Sequence, residues 1–166
     1  MRVPVEDPEI IARTGWTCDE LNAAIDAAAP QGPYAVVTLL IGVNDQYRGG
    51  DPASYRARFR ALFDRAAAFA GARPERVLVL SIPDWGVTPF AEGRDRAAIA
   101  AAIDAFNAVN AAETAEGGGR YVDVTTISRQ SHPDWVTEDG LHPSATQYFR
   151  WVTAAGVQIA RMLATP

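Results

Sequence analysis

The segment Ala35-Val36-Val37-Thr38-Leu39-Leu40-Ile41 is apolar at every position but Thr38. A strand with one face in water alternates polar and apolar residues. An unbroken run belongs to a strand covered on both faces, as in parallel sheets. Val77-Leu78-Val79-Leu80 has the same character. Between these runs the apolar residues recur at helical spacing. Thr17 caps a helix expected over residues 19–28, stopped by Pro30 and Gly32. Asp51-Pro52 starts a second, with Tyr55, Phe59, Leu62, Phe63, Ala66 and Phe69 along one side before Gly71. Ile99, Ile103, Phe106 and Val109 mark a third, which ends before the turn Gly117-Gly118-Gly119. A last helix over residues 144–163 places Tyr148, Val152, Ala155, Ile159 and Met162 on one side. Strands are expected at residues 9–13, 34–41, 76–81 and 120–124. The alternation predicts one α/β domain spanning residues 1–166, a parallel sheet with helices on both faces.

Composition removes several classes of function. The chain has 166 residues, 48% of them hydrophobic, enough for a single core. A net charge of −5 and a pI near 5.0 argue against nucleic acid or an anionic membrane surface as partner. The single cysteine, Cys18, leaves no disulfide framework and no zinc cluster. No lysine occurs and no glycine-rich phosphate loop follows a strand, which argues against a nucleotide binder. No stretch is long and apolar enough to span a bilayer. The opening Met1-Arg2-Val3-Pro4-Val5-Glu6-Asp7-Pro8 lacks the apolar run of a signal peptide, so the chain as written is expected in the cytoplasm. Nothing indicates a metal or organic cofactor.

In sheets of this kind ligands bind beyond the carboxyl ends of the strands. Four segments are expected at that rim: Thr14-Gly15-Trp16, Gly42-Val43-Asn44-Asp45, Ile82-Pro83-Asp84-Trp85, and residues 125–143. The last contains Asp139-Gly140-Leu141-His142-Pro143. A carboxylate three residues before an imidazole can fix its tautomer and stabilise its protonated form, which is the work of the acid and base in nucleophilic hydrolysis. The same pair also suits a histidine merely satisfied at a helix terminus. Asn44 can donate to an oxyanion or fold into an Asx turn, and Gly15 can bare an N–H or simply turn the chain. His132, in Ser131-His132-Pro133-Asp134, reads as an exposed loop residue. Tyr47, Trp85, Phe90 and Trp135 fall in rim loops, placed to line a substrate pocket or to pack on a helix.

Taken together, Gly15, Gly42-Val43-Asn44-Asp45 and Asp139-Gly140-Leu141-His142-Pro143 resemble, in order and rough spacing, the SGNH (GDSL-type) hydrolases. The likeness runs from Ile10 to the end of the chain. It implies a flavodoxin-like, three-layer α/β/α fold and an activity among lipases, esterases, thioesterases and carbohydrate deacetylases. By this resemblance His142 is the general base, Asp139 its orienting acid, and Gly15 and Asn44 oxyanion donors. Tyr47 and Trp85 then contact a small-molecule ester, with no metal or cofactor required.

The family opens with a strand ending in Gly-Asp-Ser, whose serine attacks the ester. No Gly-Asp-Ser occurs here. The resemblance therefore implies an N-terminally truncated chain whose first strand, lying between residues 9–13 and 34–41, is missing, either by a real truncation or because Met1 lies inside a longer reading frame. Such a chain is expected to be feebly active at best and poorly stable. Ser54, Ser81, Ser128, Ser131 and Ser144 are poor substitutes for the nucleophile. The competing expectation is a non-catalytic α/β binding module that keeps the rim without the chemistry.

Overall fold

Successive residues of the central strand face opposite ways, and each side meets a different set of helices. In the computed structural model, which describes residues 6–130 and 132–164, three strands form one sheet. They are β1 (Val37–Leu39), β2 (Val77–Leu80) and β3 (Arg120–Val122), in the order β1-β2-β3 and parallel throughout. Val37 lies opposite Val77, and Leu78 opposite Arg120. Val77 and Val79 pack into a cluster with α1 (Cys18–Ala28), α3 (Pro52–Phe69) and α4 (Arg96–Glu116). Leu78 joins Val122, Val124, Trp151, Ala155 and Met162 beneath α6 (Ala145–Ala164). Helices thus cover both faces of β2, as its apolar run predicted, whereas on the 35–41 run Thr38 and Leu40 are exposed because β1 is paired on one side only. Two short helices, α2 (Val43–Tyr47) and α5 (Thr125–Ser128), follow the ends of β1 and β3.

The helix starts follow from their caps. Thr17 and Glu20 form a reciprocal capping box at α1, with Thr17 N–H donating to Glu20 Oε2 at 2.8 Å. Asp51 accepts from Ser54 N–H at 2.9 Å with Pro52 at the first helical position, and Asp95 accepts from Ala98 N–H at 2.9 Å. The stripe Tyr55, Phe59, Leu62, Phe63 and Ala66 is buried, as are Ile99, Ile103, Phe106 and Val109.

Two expectations fail. Residues 9–13 form no strand: Ile10 is 76% exposed, and the Glu9 carboxylate accepts from the Tyr34 hydroxyl. A strand needs a ladder partner, and among the described residues β1 pairs only with β2. The sequence reading had itself put another strand between residues 9–13 and β1. The expected stripe on α6 holds at Ala155, Ile159 and Met162 and fails in the first half of the helix. Tyr148 and Val152 are exposed, and the buried face runs through Gln147, Trp151, Ala155 and Met162. Burial of Trp151 against the β2 and β3 side chains sets the rotation of this helix, because one indole buries more apolar area than Tyr148 or Val152 would at that seam. Met1 and Ser131 lie outside the described residues.

Candidate active site

The loop before α6 is built around one carboxylate. Asp139 Oδ1 accepts from the N–H groups of Leu141 and His142, both at 2.9 Å, and from Thr137 Oγ1 at 2.7 Å. Asp139 Oδ2 meets His142 Nδ1 at 2.5 Å. A bridge between Val136 and Pro143 and the bond from Thr137 N–H to His142 O (2.8 Å) close the base of the loop. Gly140, at φ 69°, supplies the left-handed residue that such a tight return needs. Its carbonyl accepts from Phe90 N–H at 3.0 Å, which ties this loop to the one after β2.

The His142 ring, together with the backbone donors of His142 and Leu141, holds the Asp139 carboxyl far below the ordinary carboxylate range. With its folded pKa depressed, the ionised form orders the loop above the ordinary value, and that order is lost only as pH falls through the depressed one. The Leu141 and His142 amide resonances are therefore expected to titrate together with a midpoint well below about 3.9. A midpoint at or above that value, read by NMR, would show that the carboxylate does not organise the loop.

Asn44 sits in the first turn of α2, reached through Gly42 at φ 113°. Its Nδ2 donates to Trp16 O at 3.0 Å, which uses one of two amide hydrogens. Two further bonds fix the same turn against α2. Arg48 Nη2 donates to Gly15 O at 2.8 Å, and the buried Asp45 carboxylate accepts from Cys18 N–H at 3.0 Å. Burial raises the Asp45 carboxyl and the Cys18 thiol above their usual values, so neither is a ready nucleophile or ion. Among the described residues the Gly15 N–H finds no acceptor, and the space where a Cβ would project is open.

All four predicted rim segments line one groove of about 1060 Å³. Gly15, Asn44, Tyr47, Trp85 and His142 border it, and all four tryptophans of the chain do so. Asp139 stands behind His142 rather than on the wall. Trp85 is buried, donates its indole N–H to Gln46 Oε1 at 2.9 Å, and packs edge-on to Tyr47 with ring centroids 5.3 Å apart. His132 is half exposed yet also lines the groove, stacked on Trp135 at 5.9 Å. Its sequence places it only in an exposed loop, Trp16 was expected at the rim without a role, and Trp151 was not expected there. Trp16 had a signal in its place beside Gly15, whereas Trp151 lies within a helix and had none.

The described serines are engaged elsewhere. Ser81 Oγ is buried and accepts from the N–H groups of Val124 and Thr125, and Ser128 Oγ donates to Thr125 O. Ser144 Oγ donates to Asp134 O, and Ser54 Oγ to Asp51 O. Among the described residues no serine hydroxyl is bonded to His142, no group of side chains could hold a metal ion, and no helix is long and apolar enough to cross a membrane.

A parallel sheet thus lies between helix layers, with an Asp–His loop beside the groove at one end of its strands. Residues 2–149 match the family model described as GDSL-like Lipase/Acylhydrolase, and the chain belongs to that family. Solved structures share the fold. TesA is 22% identical with a TM-score of 0.63, over 89% of this chain and 74% of that one. A point mutant of Axe2, an acetyl-xylooligosaccharide esterase from Geobacillus, is 20% identical with a TM-score of 0.63, over 87% and 68%. AlinE4, an SGNH-hydrolase family esterase, is 18% identical with a TM-score of 0.55, over 92% and 73%. No curated protein sequence matches the chain.

Proposed function

We propose that the groove is the base and oxyanion side of a Ser-His-Asp centre that hydrolyses carboxylic esters. His142 takes the proton of an attacking serine through Nε2, since Nδ1 is held by Asp139, and Asp139 steadies the imidazolium that forms. The second Asn44 amide hydrogen and the Gly15 N–H receive the tetrahedral oxyanion. Tyr47 and Trp85 contact the acyl or alcohol group. The single observation that carries this reading is the 2.5 Å contact between His142 Nδ1 and Asp139 Oδ2 on a ring that borders the same groove as Asn44 and Gly15.

The serine, on this reading, arrives on an apolar strand paired along the edge of β1 that faces away from β2. Support for that seat comes from Leu40, directly after β1, and Tyr148 of α6. Both line the groove, and both are exposed. The test is hydrolysis of p-nitrophenyl butyrate by the 166-residue chain and by the same chain joined at its N-terminus to an apolar strand ending in Gly-Asp-Ser. The joined protein is expected to turn over at least about a thousand times faster, given the roughly million-fold cost of losing a nucleophile from a comparable triad. Equal rates would sink the proposal.

A second reading, a binding module without catalysis, is favoured by the commitment of the described serine hydroxyls to other partners. It predicts ligand binding by the joined protein with no turnover at all.

A further inference from the structure

The Arg94 cation stands over the aromatic wall of the groove, just outside its lining residues, and like Arg13 on that lining and Arg150 over Trp135 it has no ion pair among the described residues. The Arg94 guanidinium lies 4.8 Å from the ring centroid of Phe90, 5.5 Å from Trp85 and 5.7 Å from Tyr47, three rings that all border the groove. Its neighbours are committed. Arg96 donates to Gly86 O at 2.6 Å and to Thr88 O at 3.1 Å, and Arg48 to Gly15 O and Glu20. Asp95, next in the chain, is occupied in capping α4. Among the described residues Arg94 forms no ion pair, although the chain carries 20 acidic residues against 15 basic ones. Stacking on aromatic faces holds a guanidinium in place and leaves its N–H edges pointing outward, in the fork that matches a planar or tetrahedral oxyanion. The position is also fixed relative to the Asp139–His142 loop, because Phe90 N–H donates to Gly140 O at 3.0 Å.

We propose that Arg94 is a specificity residue that selects esters carrying a second, anionic group, a carboxylate or phosphate, on the part of the substrate lying over Tyr47, Trp85 and Phe90. This rests on the ester-hydrolase reading for the identity of the substrate but not for the binding. The group touches the substrate's charge and takes no part in bond making. A neutral ester would leave the fork in water and gain only the apolar contact.

The test reads binding, with ligands that cannot be hydrolysed at an ester. N-methyladipamic acid, its neutral counterpart N,N′-dimethyladipamide, and butylphosphonate, which stands in for a phosphate, are titrated at pH 7 against intrinsic tryptophan fluorescence. All four tryptophans border the groove, Trp85 beneath Arg94 itself. The monoanions are expected to bind about tenfold more tightly than the diamide, the size of one charge-assisted contact. Arg94→Gln should erase that preference and leave diamide binding unchanged. Arg94→Lys, which keeps charge but loses the planar stack, should retain part of it. Whichever monoanion shows the larger Arg94-dependent preference identifies the carboxylate or the phosphate as the group recognised. Far-UV circular dichroism confirms that each variant is folded. Equal affinities for the anionic and neutral ligands in the unsubstituted chain, or an unchanged preference in Arg94→Gln, overturns the assignment. An Arg94-dependent preference in a joined, Gly-Asp-Ser-carrying protein that hydrolyses no ester would instead remove the catalytic reading and leave this one standing.

Discussion

In the protein joined to a Gly-Asp-Ser strand, His142→Ala is expected to lower kcat by about 10⁴- to 10⁶-fold, the largest effect of any single substitution in the groove. The base and nucleophile of a triad act as a unit, so removing the imidazole leaves only binding and oxyanion stabilisation. Asp139→Asn should cost roughly 10⁴-fold, because an amide facing Nδ1 can donate to it and favour the wrong tautomer. Asn44→Ala should cost less, about 10²- to 10³-fold, the loss of one oxyanion donor. The order of these three effects matters more than any one value. A His142→Ala rate within tenfold of the parent would take the ring out of the mechanism. An Asn44→Ala loss as large as that of His142→Ala would mean that the Trp16 turn had collapsed with its anchor, since the Asn44 amide also holds Trp16 O. Circular dichroism separates that case from a local loss.

The central strand β2 was legible because burial on both faces writes itself into sequence as a continuous apolar run. The expected span of residues 34–41 shrank to Val37–Leu39 because ladder pairing comes from β2 alone. Residues 9–13 carry two isoleucines and read as a strand, yet pairing is a property of neighbours in space that no local pattern encodes. The buried stripe in the first half of α6 was lost for a related reason. Tyr148, Val152 and Trp151 are all apolar, and choosing between adjacent stripes requires knowing which one the sheet presents a seam to. At the groove, residues next to glycine or a short acid–base spacing were found, since Gly15, Gly42 and Gly140 mark sharp returns of the chain. His132 was set aside because its carboxylate neighbour lies two residues after it. Its ring nevertheless lies against Trp135 on the groove wall, a contact set by the fold of the whole loop. Arg94 carried no motif at all, because its three ring partners come from α2 and two separate turns after β2.

Gly42→Ala is expected to destabilise the fold by about 2–5 kcal/mol, the largest loss from adding a single methyl group at the groove. Two costs act together. The residue sits at φ 113°, where an L side chain is strained by about 1–2 kcal/mol. A Cβ would also stand 2.9 Å from Tyr55 Cζ and 3.0 Å from Ile82 Cδ1, inside van der Waals contact with both. Tyr55 has no room to retreat, being fully buried against Phe106 at 4.6 Å and bonded through its hydroxyl to Asn110 Oδ1 at 2.7 Å. For a domain of this size each kcal/mol moves the melting temperature by about 2–4 °C, so a fall on the order of 10 °C should appear in a thermal melt followed by circular dichroism. Gly93→Ala isolates the first cost, because Gly93 is also left-handed, at φ 75°, but has nothing within 4 Å of the added carbon. It should melt only about 2–4 °C below the parent, the cost of roughly 1 kcal/mol of backbone strain. If the two variants melt together, the collision with Tyr55 is absent and the close approach of α3 to the start of α2 is wrong. If Gly42→Ala alone falls, that contact fixes where α2 begins, and with it the position of Asn44 beside Trp16, which binds the oxyanion side of the groove to the packing of the core.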